Sequence, residues 1–91
     1  MKKLDSVRTL TLGTEAVTVR VSGLTCLVQN NSETASVYFK ERRADSEDVS
    51  SANGWRLAPG ESTAVPFAAL DLSLIASAAG TDVRVLLLDE L

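Results

Sequence analysis

The chain has 91 residues, 45% hydrophobic and 23% charged, which is the make-up of one small globular domain and too little chain for two separately packed cores. A net charge of -3 argues against nucleic acid as a partner, because such affinity comes largely from clustered Lys and Arg that neutralise phosphates. No run approaches the roughly 20 apolar residues that span a bilayer, and Met1-Lys2-Lys3 leads into Leu4-Asp5-Ser6 instead of an apolar leader, so synthesis in a cytoplasm is expected, with no membrane partner.

Taken in chain order, residues 1–6 form an expected N-terminal arm, followed by two segments with period-two alternation, Val7 to Leu12 and Ala16 to Val21. In the second, Val17, Val19 and Val21 point one way and Thr18 and Arg20 the other, the pattern of a strand with one wet face. Leu24 to Gln29 and Ser36 to Lys40 continue the pattern. Asn30-Asn31-Ser32-Glu33-Thr34 between them reads as a hairpin loop, because Asn tolerates positive φ and Ser and Thr bond their own backbone. Glu41 to Asp48 is the most charged stretch and reads as a solvated loop or a fraying strand end. Asn53-Gly54 and Pro59-Gly60 are reversal signals on either side of a short strand at Gly54 to Leu57, with Pro59-Gly60 fitting a type II turn. Ser62 to Phe67, Leu72 to Ala76 and Val83 to Leu88 complete the strand candidates, and one short helical turn is expected near Pro66 to Leu70. The reading is all-β: a single domain over residues 1–91, a compact antiparallel β-sandwich or jelly-roll-like barrel of about seven or eight strands.

Histidine is absent, which removes the usual general base near neutral pH, every Ser-His-Asp or Cys-His arrangement and the commonest nitrogen ligand for zinc. The carboxylates are spread over loop-like positions, and a sandwich of this size leaves little room for a substrate pocket. A non-enzymatic chain is expected, with no cofactor. Cys26, the single cysteine, lies between apolar neighbours and is expected in the core as a small hydrophobe; one cysteine allows neither an internal disulfide nor a thiolate metal site. Asp45, Glu47 and Asp48 lack the glycine and the bidentate Glu of a calcium loop.

The remaining candidates concern association. Alternation puts Trp55 with Leu57 on the core face, the competing reading being an exposed Trp that anchors a subunit or stacks on a ligand. In the last strand Val83, Val85 and Leu87 take one face while Leu86 and Leu88 occupy the other. A sandwich strand should be polar outside, so Leu86 and Leu88, with Leu91 close behind, are candidates for a subunit or lattice contact. Arg42 and Arg43 are candidates for pairing with acidic groups on a neighbour, and Tyr38 is the candidate surface aromatic.

The succession Val17-Thr18-Val19, Cys26-Leu27-Val28-Gln29-Asn30-Asn31-Ser32, Val37-Tyr38-Phe39, Asn53-Gly54-Trp55-Arg56-Leu57-Ala58-Pro59-Gly60-Glu61-Ser62 and Asp82-Val83-Arg84-Val85-Leu86 resembles small β-sandwich virion proteins of tailed bacteriophages. The resemblance spans about Val17 to Leu88, and its Leu-x-Pro-Gly-Glu-Ser turn is a motif that many sandwiches share. It implies a virion structural protein, first a capsid decoration or cement protein that binds capsid or other virion proteins and forms homo-oligomers. A neck or tail adaptor, a head-fibre component or a carbohydrate- or receptor-binding module are the alternatives. The last of these requires Trp55, Tyr38 and the Asn30-Asn31 loop to converge.

Overall fold

The computed structural model describes residues 6–21, 25–42, 48–65 and 71–88. Eight strands run through them: β1 (Ser6–Leu12), β2 (Val17–Arg20), β3 (Thr25–Asn30), β4 (Val37–Arg42), β5 (Trp55–Leu57), β6 (Ser62–Val65), β7 (Asp71–Ala76) and β8 (Thr81–Leu88). Each coincides with a stretch of alternating sequence, shifted by a residue or two at its ends. Ser6 pairs with Leu87, so the first strand takes in the last residue of the expected N-terminal arm. Residues 1–5 and the helical turn expected at Pro66 to Leu70 lie outside the described residues.

The strands form two four-stranded sheets, in the orders β1-β8-β3-β6 and β2-β7-β4-β5. Four antiparallel pairings are nested: β1 with β8, β2 with β7, β3 with β6 and β4 with β5. This is one long antiparallel ribbon whose two halves are rolled together, with β3–β8 and β4–β7 closing the roll. The chain is an all-β sandwich with the connectivity of a jelly roll.

Between the sheets the inward residues follow the period of two. Leu12, Val28, Val37, Leu72, Leu74 and Val85 are almost completely buried, and burial of aliphatic side chains of this size favours folding by about 1.5–3 kcal/mol each. Cys26 joins them with no exposed surface, as its apolar neighbours led us to expect. Burial, and secondarily the negative charge of Glu41, pushes its thiol pKa up, so the neutral form is favoured.

The polar stretch from Asn30 to Thr34 is a crossover between the sheets and not a hairpin: β3 belongs to the first sheet and β4 to the second. Asn30 is the reason the chain can turn inward there. Its buried side chain donates from Nδ2 to the carbonyls of Ala35 at 2.8 Å and Leu57 at 3.0 Å, and its Oδ1 accepts from the Ser32 N–H at 3.0 Å. The amide thus supplies the partners that the backbone of the crossover and of β5 would otherwise lack.

The turn from β5 to β6 keeps its expected form. Glu61 N–H donates to the Ala58 carbonyl at 3.0 Å, and Gly60 takes φ +81° at the third position, as a type II turn requires. The glycine of Asn53-Gly54 works differently. A Cβ there would stand 2.7 Å from Val49 Cγ2 and 2.9 Å from Tyr38 Cβ, so Gly54 is needed for close approach.

Candidate functional site

The two outer faces of the sandwich are finished differently. On the second sheet Ser73 points outward by strand alternation, yet it is fully buried, because residues 48–54 lie over it. Val49 is tucked against the sheet, and its N–H donates to Ser73 Oγ at 3.3 Å. Toward the end of β4 the same face carries charge: Arg20 donates to Asp71 at 2.7 Å, Arg42 stands opposite Asp71 in register, and Arg42 is paired with Asp48. On this face the chain covers Ser73 with its own loop and pairs Arg20 with Asp71 and Arg42 with Asp48.

The outer face of the first sheet has no such cover among the described residues. Pairing places Val7 opposite Leu86, Leu86 opposite Leu27 and Leu27 opposite Ala64, so one apolar row crosses all four strands. Val7 is 53% exposed, Leu27 36%, and Leu86 is half-buried between them. The next row toward the other end of the sheet, Thr9, Arg84, Gln29 and Ser62, is polar. Together the two rows frame a shallow hollow of about 340 Å³, lined by Val7, Leu27, Gln29, Ser62, Arg84 and Leu86. A third row holds Asp82, which accepts from Asn31 Nδ2 at 2.8 Å and from Arg84 at 3.3 Å. The Asn31 hydrogen bond holds the carboxyl below the usual Asp range, desolvation opposes it, and the charge and hydrogen bond of Arg84 add to the lowering. The result is a greasy stripe with a fixed polar margin, the composition of a protein-contact patch.

The candidate residues read from the sequence fall in different places. Leu86 is at the centre of the apolar row, with Val7 and Leu27 as its cross-strand neighbours. Leu88 stands opposite Thr25 in register; its side chain lies outside the described residues, as do Arg43 and Leu91. Arg42 is on the outer face of the other sheet, engaged by Asp48 of its own chain, so Leu86 and Arg42 do not form one patch. Tyr38 is also on that outer face and is half-buried against the 48–54 loop, lining a hollow of about 470 Å³ with Ser50, Ser51 and Ile75.

Trp55 corrects the expectation of a core tryptophan. Its register opposite Phe39 does give it the inward face, as alternation requires, but it is 66% exposed. The reason is position: β5 has three residues and lies at the sheet edge, where no described residue fills the gap toward β6. Trp55 therefore flanks a cleft of about 450 Å³ with Phe39, Lys40, Glu41, Asn53 and Thr63. The one hint in the sequence was the turn glycine immediately before it, which leaves Trp55 at the very start of a strand.

A glycan platform of Trp55, Tyr38 and the Asn30-Asn31 loop is not assembled. Trp55 faces the inter-sheet cleft and Tyr38 the outside, while Asn30 is buried and Asn31 is bonded to Asp82. Among the described residues no group of three His, Cys, Asp or Glu side chains is placed to hold a metal ion. Asp48, Asp71 and Asp82 are each held by an arginine, and Glu61 accepts from the Ala58 N–H at 2.6 Å within its own turn. Leu27 and Val7, which complete the apolar row, were not singled out from the sequence, because alternation gives a facing direction but not the strand that lies alongside.

Comparison with protein-family models, with curated proteins and with solved structures finds no match to this chain.

Proposed function

We propose that this protein is a non-enzymatic structural component of a tailed-phage virion, a capsid decoration or cement protein that binds the head lattice. The observation that carries this reading is the apolar row Val7–Leu86–Leu27–Ala64, which no described residue covers, on a sandwich whose opposite face is partly covered by its own loop. A chain that spends residues 48–54 covering one sheet and leaves a stripe of aliphatic side chains on the other has a face suited to a second protein surface. The resemblance of the sequence to small virion sandwiches supports the same reading, and jelly rolls are common among viral structural domains, an analogy of fold that lends weight without fixing function. The mechanism is mechanical: each copy contributes a modest apolar contact, and attachment at many lattice positions sums them.

The test is co-sedimentation of the purified protein with tailed-phage capsids that lack it, combined with its mass in solution by light scattering. Saturation at hundreds of copies per particle supports lattice decoration. Saturation at about a dozen copies moves the assignment to a neck or tail position, where symmetry supplies few sites. Absence from the capsid pellet refutes the head assignment.

A further inference from the structure

We propose that the edge of β1, which no described strand pairs, pairs antiparallel with the β1 edge of a second copy, joining two first sheets into one of eight strands. Over the described residues the four edge strands of the sandwich differ in length: β2 and β6 have four residues, β5 has three and β1 has seven. Short strands, bulges, Pro and Lys are the usual means of blunting an edge. β1 has no bulge, Pro or Lys, and its one guard is the charge of Arg8, which stands opposite Val85 on the face shared with Leu10 and Leu12. Its ladder with β8 runs one to one from Ser6 opposite Leu87 to Leu12 opposite Thr81, and its sequence, Ser-Val-Arg-Thr-Leu-Thr-Leu, holds neither Pro nor Lys. Val7, Arg8 and Thr9 are all exposed along it.

The occupant is a second copy because this strand is complementary to itself about its midpoint. A two-fold axis through Thr9 sets all seven residues in register: Thr9 meets the second copy's Thr9, Val7 meets Thr11, Arg8 meets Leu10 and Ser6 meets Leu12. Threonine facing threonine is a favourable cross-strand pair, and no arginine stands directly opposite its counterpart. An axis through Arg8 would bring the two guanidinium-bearing residues face to face, and an axis through Arg8 or Leu10 would shorten the overlap, so the Thr9 register is the one that pairs the whole strand without opposing like charges. Edge pairing of this length buries less than the roughly 1,200 Å² of a stable interface, so the contact is weak in dilute solution and strengthened where copies are held side by side. Pairing sets the exposed Val7 beside the second copy and leaves Leu27 and Leu86 uncovered, so it is compatible with the docking of the outer face proposed above and does not depend on it.

The experiment is disulfide trapping with a mild thiol oxidant. Directly opposed residues of an antiparallel pair have Cα atoms about 4.5–5.5 Å apart, within the span a disulfide bridges. Thr9→Cys is expected to form a covalent dimer of twice 9.7 kDa about tenfold faster than Thr18→Cys, an exposed threonine on the other sheet. Cys26 is buried and stays silent in both. Adding Leu86→Ser to Thr9→Cys should leave the rate unchanged, whereas failure of the docking face would appear only in the capsid assay. Equal rates for the Thr9 and Thr18 variants, or loss of cross-linking with Leu86→Ser, would overturn edge pairing.

Discussion

Replacing Asn30 tests the central tie of the fold. Asn30→Ala removes three hydrogen bonds at once, to Ala35, Leu57 and Ser32, at a position with no exposed surface. Each such bond contributes about 1 kcal/mol net, and buried groups left without a partner cost more, so the loss should be ~3–5 kcal/mol. Against a typical domain stability of about 5–15 kcal/mol, this is a large fraction. Asn30→Asp sharpens the reasoning, because it keeps the Oδ1 acceptor for Ser32 and sets a second oxygen where Nδ2 faces two carbonyls. The introduced carboxyl would have its pKa raised in the folded state, by burial and by those carbonyls. The folded form would then bind more protons than the unfolded one, so stability is highest below the unfolded value of about 3.9 and falls as pH rises toward the folded pKa. Urea titrations followed by far-ultraviolet circular dichroism at several pH values give both results. A loss under about 1 kcal/mol for Asn30→Ala, or a pH-independent Asn30→Asp, would refute the assigned role.

Three further outcomes follow from individual contacts. Gly54→Ala should destabilise by about 1–3 kcal/mol in a denaturant melt, since the new methyl would overlap Val49 and Tyr38, while Gly13→Ala, with nothing within 4 Å, should cost less than about 1 kcal/mol. Cys26 should resist alkylation in the native protein and react at a rate that follows opening of the core, which labelling across a denaturant series measures. Asp82 has a lowered pKa, so its contribution is present above the unfolded value near 3.9 and lost as pH falls through the folded one; Asp82→Asn should flatten that part of the acid stability profile.

The strands were legible in the sequence because each is half-buried and therefore alternates; Val17 to Val21 and Val83 to Leu88 are the clearest cases. Their partners were not legible. Alternation states which side a residue faces, but β1 finds β8 and β3 finds β6 only through contacts between distant parts of the chain. That is why Asn30-Asn31 read as a hairpin: asparagine suits a turn in either setting, and the buried bonds to Ala35 and Leu57 depend on the crossover itself. Trp55 shows the same boundary from the other side, since its facing direction was readable and its exposure followed from an edge position that tertiary pairing creates. Leu86 was legible as an outward leucine on an otherwise alternating strand, and the structure supplies the neighbours that make it part of a row.

The most direct measurement of the docking face is capsid co-sedimentation of the Leu27→Ser, Leu86→Ser double variant beside the unaltered protein, with circular dichroism melts of both. Both side chains point away from the core, so the fold should survive, while removing apolar surface worth about 1–2 kcal/mol per leucine should lower capsid affinity by about tenfold or more, read as lost occupancy at a concentration where the unaltered protein half-fills its sites. Unchanged occupancy by a well-folded double variant at that concentration would contradict the assignment of this face.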